Sequence, residues 1–256
     1  MKIRLLGAHN TESQDTKCIS LLIDGILAID AGGLTSSLSF EAQQGIKALL
    51  LTHYHYDHVK DIPAIGMNLS LRGGSLDIYS TLPVYETVSA YLLDGKLYVR
   101  FLERPEEKPA FRYTIVEPGK AEQIEGYSVL PVSVDHAVPA VGYQVSSADG
   151  GAIFYTGDTG PGLAGCWKSI SPQLLLIEVT MPNRLAEFAA SRGHLAPVTL
   201  KEELLSFREL KGYLPQMIAV HLTPGWQKEI EAELAAVADE LNTPIAIGYE
   251  GMEVDL

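Results

Sequence analysis

Residues 46–58 read IKALLLTHYHYDH, an apolar run followed at once by three histidines and an aspartate. The run Ile46–Thr52 is almost continuously apolar, which is typical of a strand that is buried on both faces. Open α/β sheets carry their chemistry at the ends of such strands. This stretch therefore predicts an α/β fold with a functional site directly behind the strand.

The cluster behind the strand has the side chains of a metal site. His53 and His55 alternate along extended backbone, so their rings can converge on one ion, whereas Asp57 and His58 point differently and can reach a second. Imidazole and carboxylate together suit zinc, manganese or iron. A solvated polar loop is the alternative interpretation, but three of the seven histidines of the chain lie within these six residues. The pattern favours a metal-dependent hydrolase with two ions.

A two-metal site needs ligands from elsewhere in the chain. His136, Asp158 and His221 each lie close behind an apolar, strand-like run. Because the same order of strand and then ligand recurs, we expect these side chains to converge with the cluster. His9, in contrast, stands alone in a loop and is expected to be solvated.

The rest of the chain alternates short strands with helices and has no proline-rich or glycine-rich linker. Asp24-Gly25 between two apolar runs is typical of a tight hairpin turn. Helices are expected over residues 40–45, 59–71, 84–93, 197–207 and 226–241, a loop over 95–109, and a closing hairpin from 245–248 and 252–256. The simplest architecture is a single domain over residues 1–256, built of two packed sheets with outer helices.

The composition limits the partners that the chain can have. Its formal net charge of −13 argues against a long nucleic-acid track, which needs lysine and arginine to displace counterions. A small anionic substrate is compatible, since two divalent cations would make the site locally positive. The sequence shows no secretory signal and no run that could span a bilayer, so we expect a cytoplasmic location and no membrane partner. In that location Cys18 and Cys166 are expected to be reduced. Aromatic and arginine residues in the 95–109 loop leave a homodimer open.

These motifs together resemble the metallo-β-lactamase superfamily. Residues 52–58 are similar to its HxHxDH motif, and the later ligands match in order and in strand-end position. The resemblance implies a four-layer αββα sandwich of the α/β (α+β) class. It also implies a hydroxide that bridges two divalent metal ions, with zinc as the first choice and manganese or iron as alternatives.

The resemblance also implies a role for each ligand. His53, His55 and His136 are expected to bind the first metal, Asp57, His58 and His221 the second, and Asp158 both. Asp57 is expected to act in catalysis as well. Asp30, in Asp30-Ala31-Gly32, is expected to support the metal loop without binding metal.

Two later segments indicate the branch. Leu174–Asn183, followed by Gly193–Pro197, is similar to the corresponding segments of class II cyclic-nucleotide phosphodiesterases. His194 is interpreted as catalytic, because an imidazolium can protonate an alkoxide leaving group; the alternative is a cap on the helix that begins at Pro197. Glu178 is expected either to orient a ligand or to make a structural contact.

The favoured function is hydrolysis of a phosphodiester, namely a cyclic nucleotide or a similar small diester. One alternative is an RNase Z-like endonuclease that processes tRNA 3′ ends. The other, from a different class, is a di-iron redox or sensor module on the same fold.

Overall fold

Two seven-stranded mixed sheets face each other in the computed structural model, which describes residues 1–256. The first sheet contains, in spatial order, β14 (Glu253–Asp255), β1 (Lys2–Gly7), β2 (Ser20–Ile23), β3 (Leu27–Ile29), β4 (Ala48–Leu50), β5 (Leu76–Ser80) and β6 (Phe111–Ile115). The second contains β13 (Ile245–Ile247), β12 (Gln216–Val220), β11 (Leu174–Glu178), β10 (Ala152–Tyr155), β9 (Val141–Ser146), β8 (Tyr127–Ser133) and β7 (Glu122–Ile124).

Helices follow the strands of both halves. The half with the first sheet contains α1 (Leu34–Ser37), α2 (Phe40–Gly45), α3 (Tyr56–Val59), α4 (Ile62–Ser70), α5 (Leu82–Thr87) and a π-helix, Val88–Leu92. The half with the second contains α6 (Ala164–Ser169), α7 (Ala186–Ser191), α8 (Pro197–Lys211) and α9 (Gln227–Leu241), with 3-10 turns at Asn183–Leu185 and Pro224–Trp226. None of these helices combines the length and apolar character needed to cross a bilayer.

Three apolar clusters produce the layers. The central one takes 23 buried residues from the facing sides of both sheets. The other two lie between each sheet and its helices. In β4, Ala48 and Leu50 belong to the central cluster and Leu49 to an outer one, as the alternation of strand side chains requires. The predicted four-layer αββα sandwich and the strand buried on both faces are therefore confirmed.

The predicted closing hairpin is wrong. β13 pairs in parallel with β12, whereas β14 pairs antiparallel with β1, so the two strands belong to different sheets. The turn between them is held to the N-terminal segment by Glu250, whose carboxylate accepts a hydrogen bond from the backbone N–H of Lys17 at 2.9 Å. The pattern of a short strand does not identify its partner, because the pairing depends on distant segments of the chain.

Other local predictions were partly right. The predicted helix over residues 59–71 is observed as α4, which begins later, at Ile62; α3 ends at Val59, and between them the backbone N–H of Asp61 donates to Ala31 O at 2.9 Å. The Asp24-Gly25 turn is confirmed, with φ of 48° and 74°. Residues 95–109 contain no helix or strand, as predicted. Both cysteines are free thiols, and both are buried.

Candidate metal centre

The ends of five strands meet at one edge of the sandwich. The chain leaves β4 for the His53–His58 cluster, β8 for His136, β10 for Asp158, β12 for His221 and β11 for the segment that leads to His194. Strand ends on this edge therefore converge as expected, and the structure brings all seven predicted ligands together.

The seven side chains form two groups. One consists of His53, His55, His136 and Asp158, and the other of Asp57, His58, Asp158 and His221. Within each group the candidate ligand atoms lie within 4.8 Å of one another, and Asp158 belongs to both.

Close approaches confirm that the groups adjoin. His136 Nε2 lies 3.1 Å from His55 Nδ1, and Asp158 Oδ1 lies 3.2 Å from His58 Nε2 and 3.3 Å from His221 Nε2. Asp158 Oδ2 points to the other group, 3.7 Å from His53 Nε2.

Unpartnered buried atoms show that this arrangement fits cations. Five buried side-chain nitrogen or oxygen atoms of the chain lack a hydrogen-bond partner, and three of them lie here: His53 Nε2, His58 Nε2 and Asp158 Oδ1. Leaving such an atom unpaired costs about 1–3 kcal/mol. Since all three face the shared centre, a pair of divalent cations would satisfy them together.

A fully buried carboxylate, Asp30, orients two of the histidines. Its Oδ2 accepts a hydrogen bond from His58 Nδ1 at 2.7 Å. The Thr52 hydroxyl donates to the same carboxylate at 2.9 Å and accepts from His53 Nδ1 at 3.0 Å. Both Nδ1 atoms are thereby occupied, which leaves both Nε2 atoms for the centre.

A second buried carboxylate, Glu178, repeats this arrangement. Its Oε1 accepts from His194 Nδ1 at 2.7 Å, and its Oε2 accepts from the Thr180 hydroxyl at 2.8 Å. Thr180 Oγ1 lies 2.9 Å from His221 Nδ1 and accepts its proton. Each carboxylate thus holds one histidine directly and one through a threonine.

Neither threonine was predicted from the sequence. Thr180 lies two residues after Glu178, so both side chains project to the same side of the extended chain. Thr52 directly precedes the first histidine of the cluster. For Thr180 the available signal was its spacing from the strand-end Glu178; for Thr52, which lies 22 residues from Asp30, it was only the position next to His53.

The electrostatics of the centre favour cations. Burial lowers the pKa of His58, but the charges of Asp158, Asp30 and Asp57 outweigh it and hold the pKa well above its ordinary value. Burial raises the pKa of Asp158, but the neighbouring histidines His221 and His58 outweigh it and hold that pKa well below. The Asp158 carboxylate is therefore ionised, as a ligand must be, and His58 must release its proton when a cation binds.

His194 lies beside the two groups. Its ring stacks on that of His221, with centroids 5.7 Å apart. Burial lowers its pKa, but the charge and hydrogen bond of Glu178 outweigh burial and raise the pKa to about 9. Glu178 therefore holds the His194 ring by a direct hydrogen bond, and its expected role in orienting a ligand stays a prediction.

A cavity of about 540 Å³ opens onto the centre. Asp57, His194 and His221 line it, and Lys60 is its one lysine or arginine. Glu12 and Asp61 hold the Lys60 ammonium at 2.8 and 2.9 Å. The volume is that of a site for a small molecule.

The expectation that His9 is solvated is wrong. Its side chain is buried, with Nδ1 2.6 Å from Glu250 Oε1 and Nε2 3.0 Å from Gln227 Oε1. Burial lowers its pKa, but these partners outweigh burial and raise it. His9 therefore ties the end of β1 to α9 and to the turn before β14, a long-range contact that no local pattern indicates.

Comparison with known proteins adds a family and a set of relatives. Residues 21–225 match the model of the family described as "Beta-lactamase superfamily domain". Ribonuclease Z of Pyrococcus abyssi is 30% identical over 151 residues, which are 56% of this chain and 46% of that protein. The match therefore spans less than half the length of this curated relative.

Solved structures give the same fold over the whole chain. Unliganded yeast PDE1 superposes with a TM-score of 0.85 at 17% identity, covering 100% of this chain and 99% of that one. The short form of human tRNase Z superposes with a TM-score of 0.70 at 18% identity, with coverage of 100% and 99%. At these identities, the similarity establishes the fold alone.

Proposed function

The chain belongs to the Beta-lactamase superfamily domain family, and on that premise we propose that it is a dinuclear metal-dependent hydrolase that cleaves a small phosphodiester such as a cyclic nucleotide. The observation that carries the proposal is the position of Asp158, shared by two groups of ligand atoms that each lie within 4.8 Å. Two adjoining sites of this kind suit an in-line displacement at phosphorus.

The proposed metals follow from the donor atoms. His53, His55, His136 and Asp158 would hold one ion, and Asp57, His58, Asp158 and His221 the other. Imidazole with carboxylate favours zinc, with manganese or iron as alternatives. When bound, such a pair supplies Lewis acidity and a water of lowered pKa, so that no protein nucleophile is needed.

His194 is the proposed general acid. Glu178 engages its Nδ1 at 2.7 Å, so Nε2 is the nitrogen left to exchange a proton in the cavity. With a pKa of about 9, the ring carries a proton at neutral pH and can give it to the leaving oxygen. General-acid transfer of this kind contributes roughly 10²–10⁴-fold to a rate.

Two further side chains act at the mouth of the cavity. Asp57, whose side chain is 25% exposed there, is proposed to orient the attacking water and to accept its proton. Lys60 is proposed to donate a hydrogen bond to a phosphate oxygen, since Glu12 and Asp61 already balance its charge. The cytoplasmic location and the homodimer stay predictions.

A nucleic-acid substrate is the second candidate, and one observation favours it: the curated relative from Pyrococcus abyssi carries the name ribonuclease Z. Against it stands the net charge of −13, which disfavours counterion release along an RNA. We therefore favour the small diester.

A substrate panel separates these candidates. Bis-(p-nitrophenyl) phosphate, cyclic AMP, a tRNA precursor, a β-lactam and a thioester are each offered to the zinc-loaded protein and to His194→Gln. We expect hydrolysis of the first two, slowed in the variant without loss of metal. His9→Gln is the matched control, since His9 is the one histidine outside the centre. Cleavage of the tRNA precursor alone would favour the second candidate, and cleavage of the β-lactam or thioester alone would refute both.

A further inference from the structure

A second groove, of about 720 Å³, adjoins the centre at His136. It shares no lining residue with the cavity above, although His136 contacts His55 of that cavity. Three segments form its walls: residues 81–83 after β5, 115–118 after β6, and 133–141 between β8 and β9. The groove therefore lies between the two sheets and meets the ligand groups at His136, whose side chain is fully buried.

The walls of the groove are apolar, with a single buried hydroxyl among them. Half of its 16 lining residues are hydrophobic, including Leu82, Ile115 and Val138. Thr81 is 8% exposed, and its Oγ1 is one of the five buried atoms without a hydrogen-bond partner. Apolar walls with a few unpaired polar groups are typical of a site that takes part of a small organic ligand.

The charges of the groove restrict that ligand. Glu117 and Asp135 line it, both on exposed positions, and no lysine or arginine does. A second phosphate would meet only like charge there. A flat ring with amino groups would present apolar faces to the walls and hydrogen-bond donors to the carboxylates.

We propose that this groove binds an amine-bearing heteroaromatic ring, a nucleobase such as cytosine or adenine, which forms one arm of the diester while the phosphate lies at the metal centre. The inference rests on the proposed function and names the substrate class of that site. The Thr81 hydroxyl is buried in the structure and would pair with a ring nitrogen or carbonyl once its side chain turns into the groove.

Binding without hydrolysis tests the groove independently of catalysis. Ligand-detected NMR titrations compare cytidine with uridine, which carries a carbonyl in place of the amine. Cytidine is expected to bind several-fold more tightly. Ile115→Trp fills the groove from a half-exposed position and should weaken cytidine about tenfold; Thr81→Val removes only the unpaired hydroxyl and should weaken it about 2–10-fold.

Leu205→Trp is the matched control, because Leu205 is also half-exposed, at 39%, but lies on α8 outside the groove. It should bind cytidine as the unmodified protein does. An eight-nucleotide oligocytidylate should bind no more tightly than cytidine, since the groove holds no cation for further phosphates. Equal affinity for cytidine and uridine, insensitivity to both groove variants, or much tighter binding of the oligonucleotide would each overturn the inference.

Hydrolysis distinguishes the groove from the proposed function. Cleavage of bis-(p-nitrophenyl) phosphate without groove-dependent cytidine binding would refute the groove and leave the function standing. Groove-dependent cytidine binding without cleavage of any phosphodiester would refute the function and leave the groove as a nucleobase site. If the protein both cleaves a phosphodiester and binds cytidine in the groove, kcat/KM for cyclic CMP should exceed that for cyclic UMP. Ile115→Trp should then remove the difference.

Discussion

Replacing Gly193 by alanine should disrupt the metal centre through the backbone. Gly193 has a φ of +73°, in the left-handed region, and its carbonyl accepts a hydrogen bond from His136 Nδ1 at 2.8 Å. An added Cβ would lie 2.7 Å from His136 Cα and 2.8 Å from Ala137 N. Gly193→Ala therefore meets two penalties, a strained φ and a clash with the backbone that carries a predicted ligand.

The two penalties can be separated. A non-glycine residue in the left-handed region costs about 1–2 kcal/mol. Relieving the clash requires His136 to retreat by about 0.7 Å, from 2.7 Å to the 3.4 Å of ordinary contact. A metal site tolerates a change of about 0.2 Å in its metal–ligand distances. A misplacement of a catalytic group by about 1 Å lowers the rate on the order of 10²-fold. We expect metal affinity to fall at least about tenfold and hydrolysis about 10–100-fold.

Gly212→Ala is the control for the strain alone. Gly212 has a φ of +79° at the end of α8, and its added Cβ meets nothing within 4 Å. Urea unfolding of the metal-free proteins should show the strain penalty in both variants and a larger total loss of stability in Gly193→Ala, which also has the clash. The zinc affinity measured by titration and the rate of phosphodiester hydrolysis should fall only in Gly193→Ala. If both variants bind zinc and turn over alike, the backbone around Gly193 does not position His136 and the reasoning is refuted.

Three further perturbations test the hydrogen-bond networks. Thr52→Val leaves His53 Nδ1 without its acceptor. Zinc affinity should therefore fall about 10–100-fold in a competition titration. An unchanged affinity would contradict the proposed support of His53 by Thr52 and Asp30. Glu178→Gln removes the charge that raises the pKa of His194, so turnover should fall while metal content, measured by mass spectrometry, stays at the level of the unmodified protein; loss of metal would recast Glu178 as part of the ligand shell. The raised pKa of His9 adds stability that is complete below its unfolded value of 6.5 and is lost as the pH rises through the folded value. The free energy of unfolding in urea should therefore fall between pH 6 and pH 9, and it should fall less in His9→Gln. Equal slopes for the two proteins would contradict the pairing with Glu250.

The ligand groups could be predicted from the sequence because each follows a strand. A buried apolar run and the polar residues behind it are local features, and parallel strands with their ends on one edge bring such residues together. The positions of His53, Asp158 and His221 followed from this rule. Their metal-binding roles stay predictions.

What the sequence did not indicate depends on contacts between distant segments. His9 and Glu250 lie 241 residues apart, and they are paired at the turn where the chain crosses from one sheet to the other. The role of Thr180 follows only from its contacts with Glu178 and His221, and His221 lies 41 residues further along the chain. The apolar groove likewise exists only where three separate segments meet.

Metal content is the most direct test of the dinuclear centre. Zinc titration of the metal-free protein, followed by native mass spectrometry, should show two ions bound per chain, with hydrolysis of bis-(p-nitrophenyl) phosphate appearing as they bind. A protein that binds no zinc, or that is fully active without any metal, would contradict the account.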